Sequence, residues 1–183
     1  MAMKLQRSEG IADEALPVAQ LAAQMRLAET YDIVPGQSER LRLRLRAAIS
    51  SIEARLGKVL IAREVVVAGL TGVGQEIPLP IAPVAEVLGA ELTMRSGPRA
   101  LGPVTLRSDP HRPVALLSEA VGEGLPLTMT LRAGYGTWNA VPDALQQAVL
   151  LMAETLDAGD MAVGVQIDAL LAPFRGLRLG GMG

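Results

Sequence analysis

The chain contains no cysteine, one histidine, one tryptophan, two tyrosines and one phenylalanine in 183 residues. Each shortage closes off a class of function. Without cysteine there is no disulfide framework, no zinc knuckle, no iron–sulfur cluster and no thiol nucleophile. One histidine cannot build a histidine-rich metal site. Four aromatic side chains are too few for a platform on which successive bases stack. The formal charge is −2, so the surface as a whole lacks the basic excess that grips DNA. The first residues carry Lys4, Arg7 and Glu9 with no apolar run behind them, whereas a signal peptide needs an apolar core of about 7–15 residues. No uncharged apolar run reaches the roughly 18 residues of a membrane span. The expectation is a protein made in the cytoplasm, with no membrane partner and no cofactor.

What the chain does have is apolar content, 50% of its residues. At this length a domain buries roughly 70% of the surface it exposes unfolded, so one domain with an insertion is expected. Residues 1–14 lack periodicity and read as a flexible arm. Pro17 then sits where a first helical turn would start, and Val18, Leu21, Ala22, Met25 and Ala28 follow at helical spacing. Asp32 to Gly36 breaks that helix. Ser38 reads as the N-cap of a second one, with Glu39 in its first turn. Leu41, Leu45, Ala48, Ile49, Ile52 and Leu56 share one face, and Gly57 is a natural stop. The run Arg40-Leu41-Arg42-Leu43-Arg44-Leu45-Arg46 alternates like a strand, but the continuing 3.6-residue period favours helix.

Residues 60–136 hold most of the glycine and proline. Strands are expected over 60–70, 75–79, 84–94, 104–107, 114–117 and 125–131, with turns at 71–74, 96–98 and 108–110. Pro78, Pro80 and Pro83 confine the second of these to an edge or an end. Leu125, Leu127, Met129 and Leu131 give the clearest period-two signal. Helical texture returns with Val141-Pro142-Asp143 as a start signal and Leu145, Ala148, Val149, Met152 and Leu156 as a stripe. A short last helix is expected over 165–172, ended by Pro173. The predicted fold class is α+β: a helical core of about four helices, with a small antiparallel β-sheet inserted between the second and third main helices. The predicted boundaries are an arm over 1–14, one domain over 15–174 (helices 15–58, β insertion 60–136, helices 141–174), and a flexible tail over 175–183.

The candidate motifs are few. The cluster Gly69-Leu70-Thr71-Gly72-Val73-Gly74 is followed by Gln75 and Glu76 rather than the Lys and Ser/Thr of a phosphate loop, so it reads as a hairpin turn. His111, beside Ser108 and Asp109, has no second histidine or cysteine to work with, and neither Ser108 nor Ser118 sits in a nucleophile elbow. A small hydrolase or ligand-binding domain using the His111/Tyr135 region is the alternative reading. Residues 35–58 carry six bases and two acids, and residues 143–168 five acids and no base. Arg40, Arg42, Arg44 and Arg46 on one side, and Glu154, Asp157 and Asp160 on the other, are therefore candidates for a contact between copies of the chain. The same four arginines would serve a DNA-binding accessory protein. Gly134-Tyr135-Gly136-Thr137-Trp138 reads as a corner where the last strand meets the third helix.

Three runs carry a family resemblance: Leu131-Arg132-Ala133-Gly134-Tyr135-Gly136, then 141–151 opening on Val141-Pro142-Asp143-Ala144-Leu145, then 167–175 closing on Leu170-Leu171-Ala172-Pro173-Phe174-Arg175. In order and spacing they resemble the head–tail connector (adaptor) proteins of tailed phages and gene transfer agents, whose pattern is A-G-Y-G, V-P-x-x-L-x-x-A and L-L-x-P-[YF]-R. Leu16-Pro17-Val18, the junction at Leu56-Gly57-Lys58, and Ile77-Pro78-Leu79-Pro80 with Pro83-Val84 are similar to the family's earlier segments. The likeness covers about residues 14–176. It departs from the family in the acidic stretch after the first helix, reduced here to Asp32, and in the arginine-rich second helix. The resemblance implies a non-enzymatic homo-oligomeric ring, typically of twelve copies. Such a ring sits beneath the portal protein and joins it to stopper (head-closure) or tail proteins, with DNA passing through. It also implies synthesis in a bacterial cytoplasm and incorporation at the head–tail joint. Family members grip the portal with their C-terminal segment, which makes Phe174, Arg175, Leu177, Arg178 and Leu179 the candidates for that contact.

Overall fold

The computed structural model describes residues 3–28, 30–156 and 161–175. Its elements in chain order are β1 (Lys4–Ser8), α1 (Val18–Gln24), α2 (Gln37–Leu56), β2 (Arg63–Leu70), β3 (Gly74–Pro78), β4 (Val84–Met94), β5 (Gly97–Ala100), β6 (Val104–Arg107), β7 (Val114–Val121), β8 (Pro126–Ala133), α3 (Asp143–Thr155) and α4 (Met161–Leu171). The fold is α+β, with strands between the second and third helices as expected. The chain divides into two compact units: a sheet unit of residues 1–10 and 57–135, and a helical unit of residues 11–56 and 136–183.

The sheet unit holds two antiparallel sheets rather than one. A five-stranded sheet runs in the order β1-β2-β8-β4-β5, and a three-stranded sheet in the order β3-β7-β6. The period-two signal places Leu127, Met129, Leu131 and Ala133 of β8 on one buried face, opposite the exposed or half-buried residues between them. Val65 and Val67 of β2 and Leu92 of β4 join them, and so do Ile77, Ala115 and Leu117 from the smaller sheet. β3 ends at Pro78 and is an edge strand, where a missing N–H costs no ladder bond.

The N-terminal segment departs from the expected flexible arm. Lys4–Ser8 adds to the edge of the larger sheet as β1, with Lys4 opposite Ala68 and Ser8 opposite Val65. Every β1 side chain is exposed, so no alternation marks it as a strand. Main-chain pairing and the burial of Met3 in the sheet core hold it. β5 likewise starts at Gly97, where a turn was expected, because the turn lies one step earlier and Gly97 already pairs with Met94.

In the helical unit α2 buries Leu41, Leu45, Ala48, Ile49 and Ile52, the stripe its spacing predicts. It starts at Gln37, which puts Ser38 inside the first turn rather than at the cap. Gly57 follows it with φ 63°, a left-handed position that ends a helix at low cost only in glycine. α3 buries Leu145, Ala148, Val149, Leu150, Met152 and Ala153. It packs against both α2 and α4, and α1 packs against α2 and α3. α4 begins at Met161, four residues before the expected Val165. Truncating a fully buried residue such as Leu45 would cost about 2–5 kcal/mol.

Candidate assembly surfaces

The arginines of α2 divide by their helical angle. Arg46 donates through Nη2 to the Ile11 carbonyl at 3.2 Å and to the Asp13 carboxylate. Arg42 lies with Nε 3.6 Å from Asp13 Oδ2 and Nη1 3.5 Å from Glu39 Oε2. That Arg42 Nε is buried without a hydrogen bond, so the Asp13 carboxylate is what offsets its burial. Arg44 donates through Nη1 to the main-chain carbonyl of Glu154 at 3.5 Å. Arg40 is exposed. The structure thus brings Arg44 to the backbone of Glu154, not to its side chain. The Glu154 carboxylate instead accepts from Gln24 Nε2 at 2.7 Å. Asp157 and Asp160 lie outside the described residues.

Asp13 is the residue the sequence did not single out. It sits in a short 3-10 turn over Asp13–Ala15 and draws two arginines that are about thirty positions further along the chain. Nothing in the local pattern announces it.

The candidate C-terminal contact begins on an intramolecular pair. Arg175 donates through Nη2 to Asp168 Oδ1 at 2.7 Å, and Arg55 Nη1 stands 3.7 Å from the same oxygen. Asp168 therefore ties the end of α2 and the residue after Phe174 to α4. Phe174 is half-buried in a 3-10 turn. Leu177, Arg178 and Leu179 lie outside the described residues.

The His111/Tyr135 region is organised by its backbone. Asp109 Oδ1 accepts from the main-chain N–H of His111 at 2.7 Å and of Arg112 at 2.6 Å. These bonds hold the carboxyl below its usual value, with His111 and Lys58 adding favourable charge. Lys58 is buried and donates to the Pro110 carbonyl. Burial lowers the pKa of its ammonium, and Asp109 works against that shift. Ser108 and His111 are exposed, and Tyr135 is half-buried, with burial raising the pKa of its phenol. The cavities of the sheet unit include two lined by described residues. One of about 430 Å³ is lined by Met3, Leu70, Gly72, Glu76, Ile77, Pro78, Leu79 and Pro80. The other, of about 200 Å³, lies between Val87–Ala90 and Leu101–Val104. Neither is lined by Ser108, His111 or Tyr135. Among the described residues no three His, Asp or Glu side chains gather as metal ligands, and no helix is long and apolar enough to cross a membrane.

The Gly134-Tyr135-Gly136 run lies where the chain passes from the sheet unit to the helical unit. Gly134 has φ 123°, and a Cβ there would lie 2.6 Å from the Ala62 backbone. Only glycine allows this approach, which lets Gly134 N–H reach the Pro83 carbonyl and Tyr135 N–H the Leu60 carbonyl, both at 3.0 Å. Trp138, on the other side of the passage, is buried and donates through Nε1 to Gln20 Oε1 at 2.8 Å.

No family model matches the chain, and no curated protein does. Solved structures of gene transfer agent particles do. A chain from the neck of an empty particle, computed with C6 symmetry, is 31% identical over 100% of both chains, with a TM-score of 0.82. A chain from the virion of the native particle is 30% identical over 99% of this chain and 98% of its own, with a TM-score of 0.76. A chain from the native neck, computed with C12 symmetry, is 32% identical over 100% of both, with a TM-score of 0.73. With the ordered motifs ending in the glycine passage and the Asp168-bound Arg175, these whole-length likenesses establish that the chain belongs to the head–tail connector (adaptor) family of tailed phages and gene transfer agents, with a structural role in a head–tail particle.

Proposed function

We propose that the chain is a non-enzymatic ring subunit, present in twelve copies, that joins the portal to the stopper or tail proteins of a phage-like particle. DNA passes through the ring without sequence-specific contact. The observation that carries this reading is the whole-length likeness, at 31–32% identity, to chains of necks computed with C6 and C12 symmetry. Both symmetries are compatible with twelve copies. The protein is made in the bacterial cytoplasm and enters the particle at the head–tail joint.

In this reading the segment from Phe174 onward, with Arg175, Leu177, Arg178 and Leu179, reaches the portal. The Asp168–Arg175 pair is exposed on both sides, so it sets the direction in which the chain leaves α4 at little cost when rearranged. A channel that lets DNA slide needs weak contacts, so DNA affinity of the isolated chain is expected to be low, whereas a tight affinity that falls steeply with salt would favour a DNA-binding accessory protein instead. Cryo-electron microscopy of purified particles tests the proposal. Density for twelve copies between portal and tail is the expected result, and absence of the chain from that joint would refute it.

A further inference from the structure

β1 and β4 carry charge of opposite sign. β1 holds two bases and no acid, and β4 two acids and no base. The register of the larger sheet puts these charges on one face. Lys4 stands opposite Ala68, Ala68 opposite Thr128 and Thr128 opposite Glu91, a single row across four strands. Arg7 starts a second row through Val66 and Thr130, and Arg132 leads to Glu86 in a third. The residues between these rows, Val65, Val67, Met129 and Leu131, point into the core, so the rows lie on the other face. Three strand spacings, about 14 Å, separate β1 from β4, too far for an ion pair within the chain. Among the described residues none of Lys4, Arg7, Glu86 and Glu91 has an ion pair or a side-chain hydrogen bond. Other charges of this unit do, as in Arg132–Glu64, Arg99–Glu119 and Arg107–Glu76. The rest of its unpaired Lys, Arg, Asp and Glu side chains, Glu9, Arg95 and Glu123, lie outside the strands.

Each margin also exposes a leucine between its charges. Leu5, between Lys4 and Arg7, is 48% exposed, and Leu88, between Glu86 and Glu91, is 39% exposed. Both margins are open to a neighbour. β1 is the edge strand, and β5 covers β4 only over Glu91–Met94, so the stretch with Glu86 and Leu88 has a ladder partner on the β8 side alone. A ring generated by rotation requires a heterologous contact, in which one surface of a copy meets a different surface of the next. Opposite margins of one sheet satisfy that requirement, and their charges attract only in that pairing. One margin used twice would set base against base or acid against acid, which is costly. Resting on the ring reading above, we propose that the β1 margin of one copy, with Lys4, Leu5 and Arg7, lies against the β4 margin of the next, with Glu86, Leu88 and Glu91. The two leucines meet at the centre of this contact and the ion pairs flank them.

Charge reversal tests the match in particles. Lys4→Glu with Arg7→Glu makes both margins acidic, and Glu86→Lys with Glu91→Lys makes both basic. All four side chains are exposed, so the urea midpoints of the isolated chains should stay near that of the wild type. Supplied as the only copy, either reversed chain should enter particles about tenfold less than the wild type. Supplied together they should recover, because acidic and basic copies can alternate around a ring of twelve. Normal entry of either alone, or no recovery on mixing, would overturn the proposal. Cross-linking gives a second measurement with every native charge kept, using the natural absence of cysteine. In purified particles carrying Leu5→Cys together with Leu88→Cys, a short bismaleimide should convert the chain into a ladder of dimers, trimers and higher bands, while either variant alone stays monomeric. Dimers from a single variant would mean that a margin meets itself and would overturn the proposal. So would the lack of a ladder in particles whose neck contains the chain. Particles without the chain at the neck would overturn the ring reading itself, and the proposal with it.

Discussion

The sheet unit and the helical unit are held together differently. In the sheet unit the ladders and the turn geometry do most of the fixing. Its ion pairs, Arg107–Glu76, Arg99–Glu119 and Arg132–Glu64, are exposed and join strand to strand. In the helical unit no backbone ladder joins one helix to the next, so side chains must set the arrangement. Asp13 holds Arg42 and Arg46, Gln24 reaches Glu154, Gln20 accepts from Trp138, and Asp168 meets Arg55 and Arg175. The two units should therefore respond to different substitutions: the first to backbone geometry, the second to packing and side-chain pairing.

The largest expected effect is on the sheet side. Gly134→Ala forces a Cβ against the Ala62 backbone at a left-handed φ, which should cost about 3 kcal/mol or more. Urea unfolding would show it as a large drop in midpoint, and an unchanged midpoint would break the claim that turn geometry dominates there. Next comes Asp13→Ala, which leaves Arg42 and Arg46 without their shared carboxylate. Because these side chains are 32–43% exposed, the loss should be about 1 kcal/mol and should shrink in high salt. A loss insensitive to salt would mean that packing of the 11–15 segment, not charge, is what Asp13 supplies.

A pH experiment sharpens the sheet side again. The folded-state pKa of Asp109 lies below its usual value of 3.8. Its contribution is therefore present above that value and lost as pH falls through the folded pKa. Between about pH 5 and pH 2 the wild type should lose more stability than Asp109→Asn. Parallel acid-denaturation curves would show that the carboxylate's charge contributes nothing. The smallest effect is a gain. Arg26, just after α1, has φ 54°, and Arg26→Gly should stabilise the helical unit by about 0.5–1 kcal/mol by relieving the left-handed strain. A lower melting temperature would instead assign the Arg26 side chain a role in holding its neighbours.

Legibility followed the range of the signal. The bounds of α2 and α3 were readable within a residue or two, because Gly57, Pro142, Asp143 and the 3.6-residue stripes act locally. β4 was readable at both ends, and Leu127, Met129 and Leu131 showed which face of β8 is buried. β1 escaped because all five of its side chains are exposed, so its reason for being a strand lies entirely in β2. The arginine stripe was visible as a charge excess. Its division into Arg42 and Arg46 on Asp13, Arg44 on a Glu154 carbonyl, and an exposed Arg40 was not, since those partners stand far away in the sequence.

By itself, then, the sequence determined where the helices stop, which faces are apolar, and that strands separate the second helix from the third. Caps, prolines, glycines and periodicity act within one or two turns of chain, so they can be read one segment at a time. The motif order also carried the family. Only the tertiary structure decided that the strands form two sheets, that the N-terminus closes the edge of one, and that α3 lies between α2 and α4. It also decided which charges are satisfied within the chain. Those choices depend on groups up to 130 residues apart, such as Gln24 and Glu154. Whether a side chain is left exposed is fixed only when the packing partners have been chosen.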